Sequence, residues 1–352
     1  MSFLIYGAYG YTGTLIVDEA LRRGHKPIVA GRDREKTEAL ARAHDLEARV
    51  FALEDSEATL RALDDVPLVV HAAGPFSITS RPMVDACLAR RAHYLDITGE
   101  IDVFESIYAR DDEAQRAGIA LLPGVGFDVV PTDCLARLLK ESLDDATHLE
   151  LAFRTKGGAS RGTARTAVLG LGEGGRERRD GAIVVVKNAA HRRTIEFPRG
   201  AKEAVSIPWG DVSSAYKTTG IPNIITFMAM PKRAARAVRG MNTFAFLAKS
   251  KTVTRALTAL VDATISGPDD DARTKGFVEV WGEARNARSR VRATMLTPEG
   301  YTFTALATVR AVERTLDEKP RGALTPALAF GADFVLSVPG VERSAVTREE
   351  LG

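Results

Sequence analysis

The 352 residues exceed one ordinary domain of roughly 100–200, so two domains are expected. With 45% hydrophobic and 27% charged residues, the composition is that of a packed globular protein with little room for disorder. A net charge of +2 argues against a nucleic-acid partner, and two cysteines, Cys87 and Cys134, exclude a disulfide framework or a C-x-x-C zinc site, in keeping with a cytoplasmic location.

Met1 to Val17 carries no charge and could pass for a leader, but it lacks a basic start and contains Gly7, Gly10, Thr12 and Gly13. A strand, a glycine turn and a helix start explain it better, and no membrane span is expected. Strands are predicted at Ser2–Tyr6, Pro27–Ala30, Ala48–Ala52, Pro67–His71, His93–Asp96 and Ile119–Leu122. Helices are predicted between them at Thr12–Arg23, Arg34–Ala43, Ser56–Leu63, Pro82–Arg90 and Asp102–Ala117. Six strands with five crossovers make a Rossmann-type, doubly wound parallel sheet over residues 1–140.

Beyond about Glu141 the pattern changes. Leu149–Thr155, Ala182–Lys187, Lys275–Glu283, Arg288–Thr297 and Tyr301–Leu306 read as strands, the last two as a hairpin through Pro298-Glu299-Gly300. Strands with few helices between them predict an α+β domain at 141–315 with a largely antiparallel sheet. The glycine-rich run Gly157–Gly175 reads as a loop or helix entry, Leu316–Gly322 as a charged connector, and Ala323–Phe334 as a final helix within a segment 316–352.

The strongest motif is Gly7-Ala8-Tyr9-Gly10-Tyr11-Thr12-Gly13, set between the first strand and its helix. Gly7 permits the tight turn, Gly10 lets backbone approach a pyrophosphate, and Gly13 lets helix and sheet pack closely. The helix end then offers N–H groups and partial positive charge to phosphate. Where an NAD site usually places an acid at the end of strand two, this chain has Arg32, which suits the 2′-phosphate of NADP. Asp33 is expected to cap the next helix. The exit loop Ala72-Ala73-Gly74-Pro75 is small enough for a cofactor to lie across it. Glu100 and Asp128 are the ionisable groups of the next two exit loops, and capping roles compete with catalysis for both. His71 and His93, on strands, are read as core or capping residues. No metal motif appears, and none of the seven tyrosines is followed four places later by lysine, which excludes a Tyr-x-x-x-Lys pair.

The blocks GAYGYTG, AGRDREKTEAL, HAAGPF, YLDITGE, LLPGVGFDVVPTD, VWGEAR and GALTPALAFGADF together resemble the saccharopine dehydrogenase-like oxidoreductases, on the branch that includes trans-acting enoyl reductases. The resemblance implies an NADP-binding Rossmann domain, a substrate domain inserted after it and a C-terminal helix returning to the first domain. It places the phosphate loop on Gly7, Gly10, Thr12 and Gly13 and the 2′-phosphate on Arg32, while Tyr9 departs from the small residue expected there. It supplies no catalytic residue.

Between Ile221 and Asp262, seven basic residues and one acid are interleaved with Ile224, Ile225, Phe227, Met228, Met230, Phe244, Phe246 and Leu247. Such a stretch suits a peripheral membrane surface or an acyl carrier, against the plainer reading of a solvated helix face. The expected function is NADPH-dependent hydride transfer to a hydrophobic or acyl-type small molecule, as in enoyl reduction. The alternatives are a saccharopine-reductase-like imine or amino-acid dehydrogenase and a non-catalytic NADP-binding or lipid-associated adaptor. Oligomeric state, substrate and proton donor stay open at this level.

Overall fold

Leu4–Tyr6 is wholly apolar and wholly buried, and this strand, β1, is an interior strand of a parallel sheet. The computed structural model describes residues 3–156, 173–240, 258–259 and 267–351. The chain divides into two units, Met1–Val130 with Tyr301–Pro339 and Pro131–Gly300 with Gly340–Gly352. The divisions thus fall at 130, 300 and 339, where the expected boundaries were 140 and 315.

In the first unit β1 is followed by β2 (Ile28–Gly31), β3 (Ala48–Val50), β4 (Leu68–His71), β5 (His93–Asp96) and β6 (Ala120–Leu122). The helices between are α1 (Tyr11–Arg22), α2 (Arg34–His44), α3 (Ser56–Ala62), α4 (Phe76–Arg90), α5 (Ile101–Tyr108) and α6 (Asp111–Ala117). The expected helix at 102–117 is therefore two. Sheet order is β15-β6-β5-β4-β1-β2-β3, with the switch between β1 and β4 where the loops after both strands diverge. The seventh strand, β15 (Gly322–Ala323), pairs parallel with β6 and comes from the C-terminal part of the chain. Its Ala323 N–H donates to the Asp111 carboxylate at 2.7 Å.

The expected strand Tyr301–Leu306 is a helix. Residues Gly300–Glu318 form one 19-residue helix, α11, whose buried positions include Phe303, Ala307, Val309, Arg310 and Ala311. Six residues of alternating character cannot be told from helix; the longer window, rich in alanine, decides it. The helix is tied to α1 by Arg310, which reaches buried Glu19 at 3.3 Å, and by Glu313, which accepts two bonds from Arg23. The expected helix Ala323–Phe334 shortens to α12 (Pro326–Phe330), followed by a 3-10 turn at Phe334–Ser337.

The second unit opens with α7 (Val130–Ser142) and is built on a ten-stranded sheet. Its main path is β10-β11-β12-β7-β13-β14-β16, with β8, β9 and β17 attached at its sides. The strands are β7 (His148–Lys156), β8 (Gly175–Arg179), β9 (Ala182–Val186), β10 (Arg192–Phe197), β11 (Gly200–Ser206), β12 (Asn223–Ala229), β13 (Phe277–Arg285), β14 (Ser289–Pro298), β16 (Glu342–Arg343) and β17 (Thr347–Glu350). All pairs are antiparallel except β12 with β7. Short helices α8 (Asp211–Thr219), α9 (Lys232–Gly240) and α10 (Asp270–Lys275) complete the unit as described. Helix α7 lies close on β13, where a Cβ at Gly282 would stand 2.8 Å from Leu139 and 3.0 Å from Leu135. No helix among the described residues is long and apolar enough to cross a membrane.

Most of the expected glycine-rich segment 157–175 lies outside the described residues. So do Phe244, Phe246, Leu247, Lys249, Lys251, Arg255 and Asp262 of the basic stretch. Its described half resolves into β12, where Ile224 and Phe227 are buried in the sheet, and α9, where Ala235 packs against Ala189 and Val205. Ile224 and Phe227 are thus core residues, Ile225, Met228 and Met230 are half-buried, and Arg233, Arg236 and Arg239 are exposed.

Candidate functional site

The loop after β1 is shaped by contacts that only glycine allows. Gly7 has φ +84°, and a Cβ there would come within 2.8–2.9 Å of Ala72 and Ala73. A Cβ on Gly13 would stand 2.2 Å from the Gly7 carbonyl oxygen. The Gly10 N–H donates to that same oxygen at 2.9 Å and closes the turn. The loop is held on both sides: Gly7 and Ala8 donate to the Ala30 carbonyl of β2, and Ala72 donates to the Tyr6 carbonyl.

Gly10 is the N-cap of α1, and it has no side chain to satisfy the first-turn N–H groups. No acid lies in that turn. The helix start therefore presents its positive dipole end without a capping side chain or an acid, which fits a pyrophosphate. Among the expected phosphate-loop residues, Gly7 and Gly13 serve packing, Gly10 is the N-cap of α1 and Thr12 lies in its first turn. Tyr11 sits edge-on to Tyr301 of α11 at 5.0 Å between ring centroids, a neighbour that the strand expectation for 301–306 had hidden.

Tyr9 points along the loop towards β2. Its ring covers Gly31 so closely that a Cβ there would lie 2.3 Å from Tyr9 Cε1. Its hydroxyl accepts from the Asp33 N–H at 3.3 Å. Arg32 is exposed beside it and makes no ion pair with any described residue. Asp33, the nearest carboxylate, is turned into its own helix: it accepts from the Lys36 N–H at 3.1 Å and pairs with the Lys36 ammonium at 3.2 Å. The end of β2 therefore offers the Arg32 guanidinium with the Asp33 carboxylate turned away into its helix, which is the chemistry a 2′-phosphate asks for.

Ala72, Ala73, Gly74 and Pro75 line the β4 exit loop and lead into α4, as the sequence suggests. The two carboxylate candidates are placed differently. Glu100 accepts from the Phe76 and Ser77 N–H groups at 2.8 and 2.9 Å, so it caps α4 from the neighbouring exit loop. Asp128 lies against Gly99, where a Cβ would meet its Oδ2 at 2.8 Å. Sequence reasoning missed Asp96, the fully buried acid at the end of β5. It accepts from Tyr94 Oη at 2.7 Å, Thr98 N at 3.0 Å and Gly124 N at 2.8 Å, joining the exit loops of β5 and β6. Burial raises its pKa to about 6. The β6 loop is fixed again by Phe127 N–H, which donates to Thr304 Oγ1 of α11 at 3.0 Å. His71 is a core residue: burial pushes it down to about 3, and its Nε2 meets Thr79 Oγ1 at 3.0 Å. His93 accepts the Ala120 N–H at 2.9 Å, a capping role.

Residues 3–122 match the family model of the saccharopine dehydrogenase NADP binding domain. A lipid droplet localized protein of Caenorhabditis elegans is 27% identical over 191 residues, 48% of this chain and 44% of that protein. A Mycobacterium tuberculosis protein named a trans-acting enoyl reductase is 29% identical over 174 residues, 46% of this chain and 42% of that one. The chain spans less than half the length of these relatives. Among solved structures, apo saccharopine dehydrogenase (L-Glu forming) of Saccharomyces cerevisiae has a TM-score of 0.65 at 12% identity, covering 100% of each chain, a likeness of fold. A glycine loop at an uncapped helix start, beside a strand end that carries Arg32, agrees with the match of residues 3–122 to the saccharopine dehydrogenase NADP binding domain.

Proposed function

We propose that the protein is an NADPH-dependent oxidoreductase acting on a hydrophobic or acyl-type substrate, in the manner of an enoyl reductase. The observation that carries it is the phosphate loop with Arg32 unpaired beside it. Bound NADPH supplies a hydride to one substrate carbon, and a neighbouring atom must receive a proton. The chain's own residues would hold the pyrophosphate at the uncapped start of α1 and meet the 2′-phosphate with Arg32, with Lys36 in support. The small residues Ala72, Ala73 and Gly74 leave room for the rest of the cofactor on the sheet's carboxyl edge. Glu100 is committed to the α4 cap, so the proton comes from another group or an ordered water. The acyl preference is supported by the name of one relative and by the lipid location in the name of another.

The test is loss of nicotinamide absorbance with NADPH and two substrate classes, an enoyl thioester and an imine formed from an amino acid and an oxo acid, against a control without substrate. Turnover of the enoyl thioester alone supports the proposal. Turnover of the imine alone gives the protein an amino-acid role, and binding without turnover makes it an NADP-binding adaptor. The outward basic face of α9, with Arg233, Arg236 and Arg239, is proposed to meet an anionic lipid surface through charge alone, since its apolar side is buried.

A further inference from the structure

A second cluster of chemistry-bearing side chains lies wholly within the second unit. There, a cavity of about 330 Å³ opens where β7 begins and β13 ends, with His148, Glu150, Glu177, Arg178, Arg179, His191 and Arg285 among its lining. Strand register explains the gathering. His148 of β7 is directly paired with Asn223 of β12 on one side and Arg285 of β13 on the other, so all three point from one sheet face. One step further in, Glu150 is paired with Ile225 and Glu283.

The deeper charges satisfy one another. Arg193 pairs with Glu150 and with Glu283, and Arg292 also reaches Glu283 at 2.5 Å. At the mouth, Glu177 is taken by Arg179 at 2.5 Å and His191 at 2.7 Å. Asn223 is spent on the Thr147 carbonyl and the Asp180 N–H. Arg178 donates to the Val212 and Gly181 carbonyls and stacks on Tyr216 with its guanidinium carbon 4.0 Å from the ring centroid. Two donors are left over. Arg285, half-buried, has no ion pair or side-chain hydrogen bond to a described residue. His148 engages Thr147 through Nδ1, which leaves Nε2 directed elsewhere.

Arg285 is half-buried without an ion pair, and the three lining arginines face two glutamates, both already paired, with Asp180 the further carboxylate whose charge reaches His148. A small anion repairs that imbalance. We propose that this cavity binds a small oxyanion, a carboxylate or a phosphate, through a two-bond contact from Arg285 and a third bond from His148. The geometry suits an oxyanion better than halide, because a guanidinium fork matches two oxygens of one group. His148 also reports the event: burial and the Arg285 charge hold its pKa below the usual histidine range, and an anion between them removes the second cause.

The experiment uses the full chain, with the His148 ring protons followed by NMR across pH at constant ionic strength. Inorganic phosphate, acetate and chloride are compared. Phosphate or acetate, but not chloride, is expected to raise the His148 titration point, and whichever does so at lower concentration identifies the preferred oxyanion. Arg285→Gln should weaken that binding by at least about tenfold, and Arg285→Lys should recover part of it. NADPH titration of each variant shows that the chain is folded and should be unchanged. An equal response to chloride, no response at all, or full phosphate binding by folded Arg285→Gln overturns the proposal.

Discussion

The two sheets bury their strands by different rules. In the first unit, Leu4–Tyr6, Ile28–Gly31 and Leu68–His71 are buried at every position, because helices cover both faces of a parallel sheet. In the second, Ser289–Pro298 alternates buried and half-buried residue by residue, and charged side chains such as Glu150, Arg193 and Glu283 occupy one face. The first sheet has no side-chain positions to spare for ligands, so its chemistry collects in the loops at the strand ends. The second carries polar chemistry on the strands themselves. The difference teaches where each unit is fragile: one in its loop backbone, the other in its paired charges.

The sharpest way to break this comparison is one methyl group in each unit. Gly13→Ala places a Cβ 2.2 Å from a backbone oxygen that also closes the Gly7 turn, so the loop must move. NADPH affinity, read by fluorescence titration, should fall at least about 100-fold although alanine favours helix. Retained affinity would mean that the loop shape is not what binds phosphate. Gly282→Ala in the second unit meets only the far ends of Leu135 and Leu139, and belongs at the other end of the scale.

Next in size is Arg32→Ala. Losing charge-assisted bonds worth roughly 1.5–3 kcal/mol should weaken NADPH by about 10- to 150-fold and leave NADH nearly unchanged. Lys36 moves the expectation towards the lower figure. Equal weakening of both cofactors would assign Arg32 to loop support, and tighter wild-type binding of NADH would reverse the cofactor preference.

Reversing Arg236 and Arg239 to Glu should cost a comparable or smaller factor in binding to vesicles with anionic lipid. Basic residues contribute about 1 kcal/mol each near such a surface, so the loss is about 30-fold or more, with NADPH affinity intact. Vesicle sedimentation that does not distinguish the variant from wild type retires the lipid contact.

A pH effect of at most about 3 kcal/mol comes from the buried Asp96, whose pKa of about 6 lies above the ordinary 3.8. The folded protein binds that proton more tightly than the unfolded chain, so this group lowers stability as pH rises between those values. His71 works the other way: lowered from 6.5 to about 3, it raises stability with pH over an overlapping window. Asp96→Asn keeps an acceptor for the Thr98 and Gly124 N–H groups and removes one of the two slopes. Denaturant titrations from pH 4 to 6 should then show stability climbing more steeply with pH in the variant than in wild type. Parallel profiles would show that Asp96 does not hold a proton in the fold. The smallest effect is Gly282→Ala, expected to cost about 1–3 kcal/mol in thermal unfolding as the leucine ends shift, without touching NADPH binding.

By itself the sequence determined the first six strands, the glycine loop and the cation in place of an acid at Arg32. These depend on neighbours within about ten residues: an apolar run, glycines at set spacing and a helix start. It also held the switch to an antiparallel domain, since alternation is a local pattern. Other features depend on distant partners. Glu100 becomes a cap because Phe76 and Ser77 arrive beneath it, and Asp96 becomes a joint because Gly124 does. Gly322–Ala323 is a strand of two residues that exists through Ile119, Leu121 and the Asp111 carboxylate, which no short window contains. Arginine-rich β8 and β10 hide as strands for the same reason: buried Arg178 is met by the Val212 and Gly181 carbonyls, and Arg193 by Glu150 and Glu283.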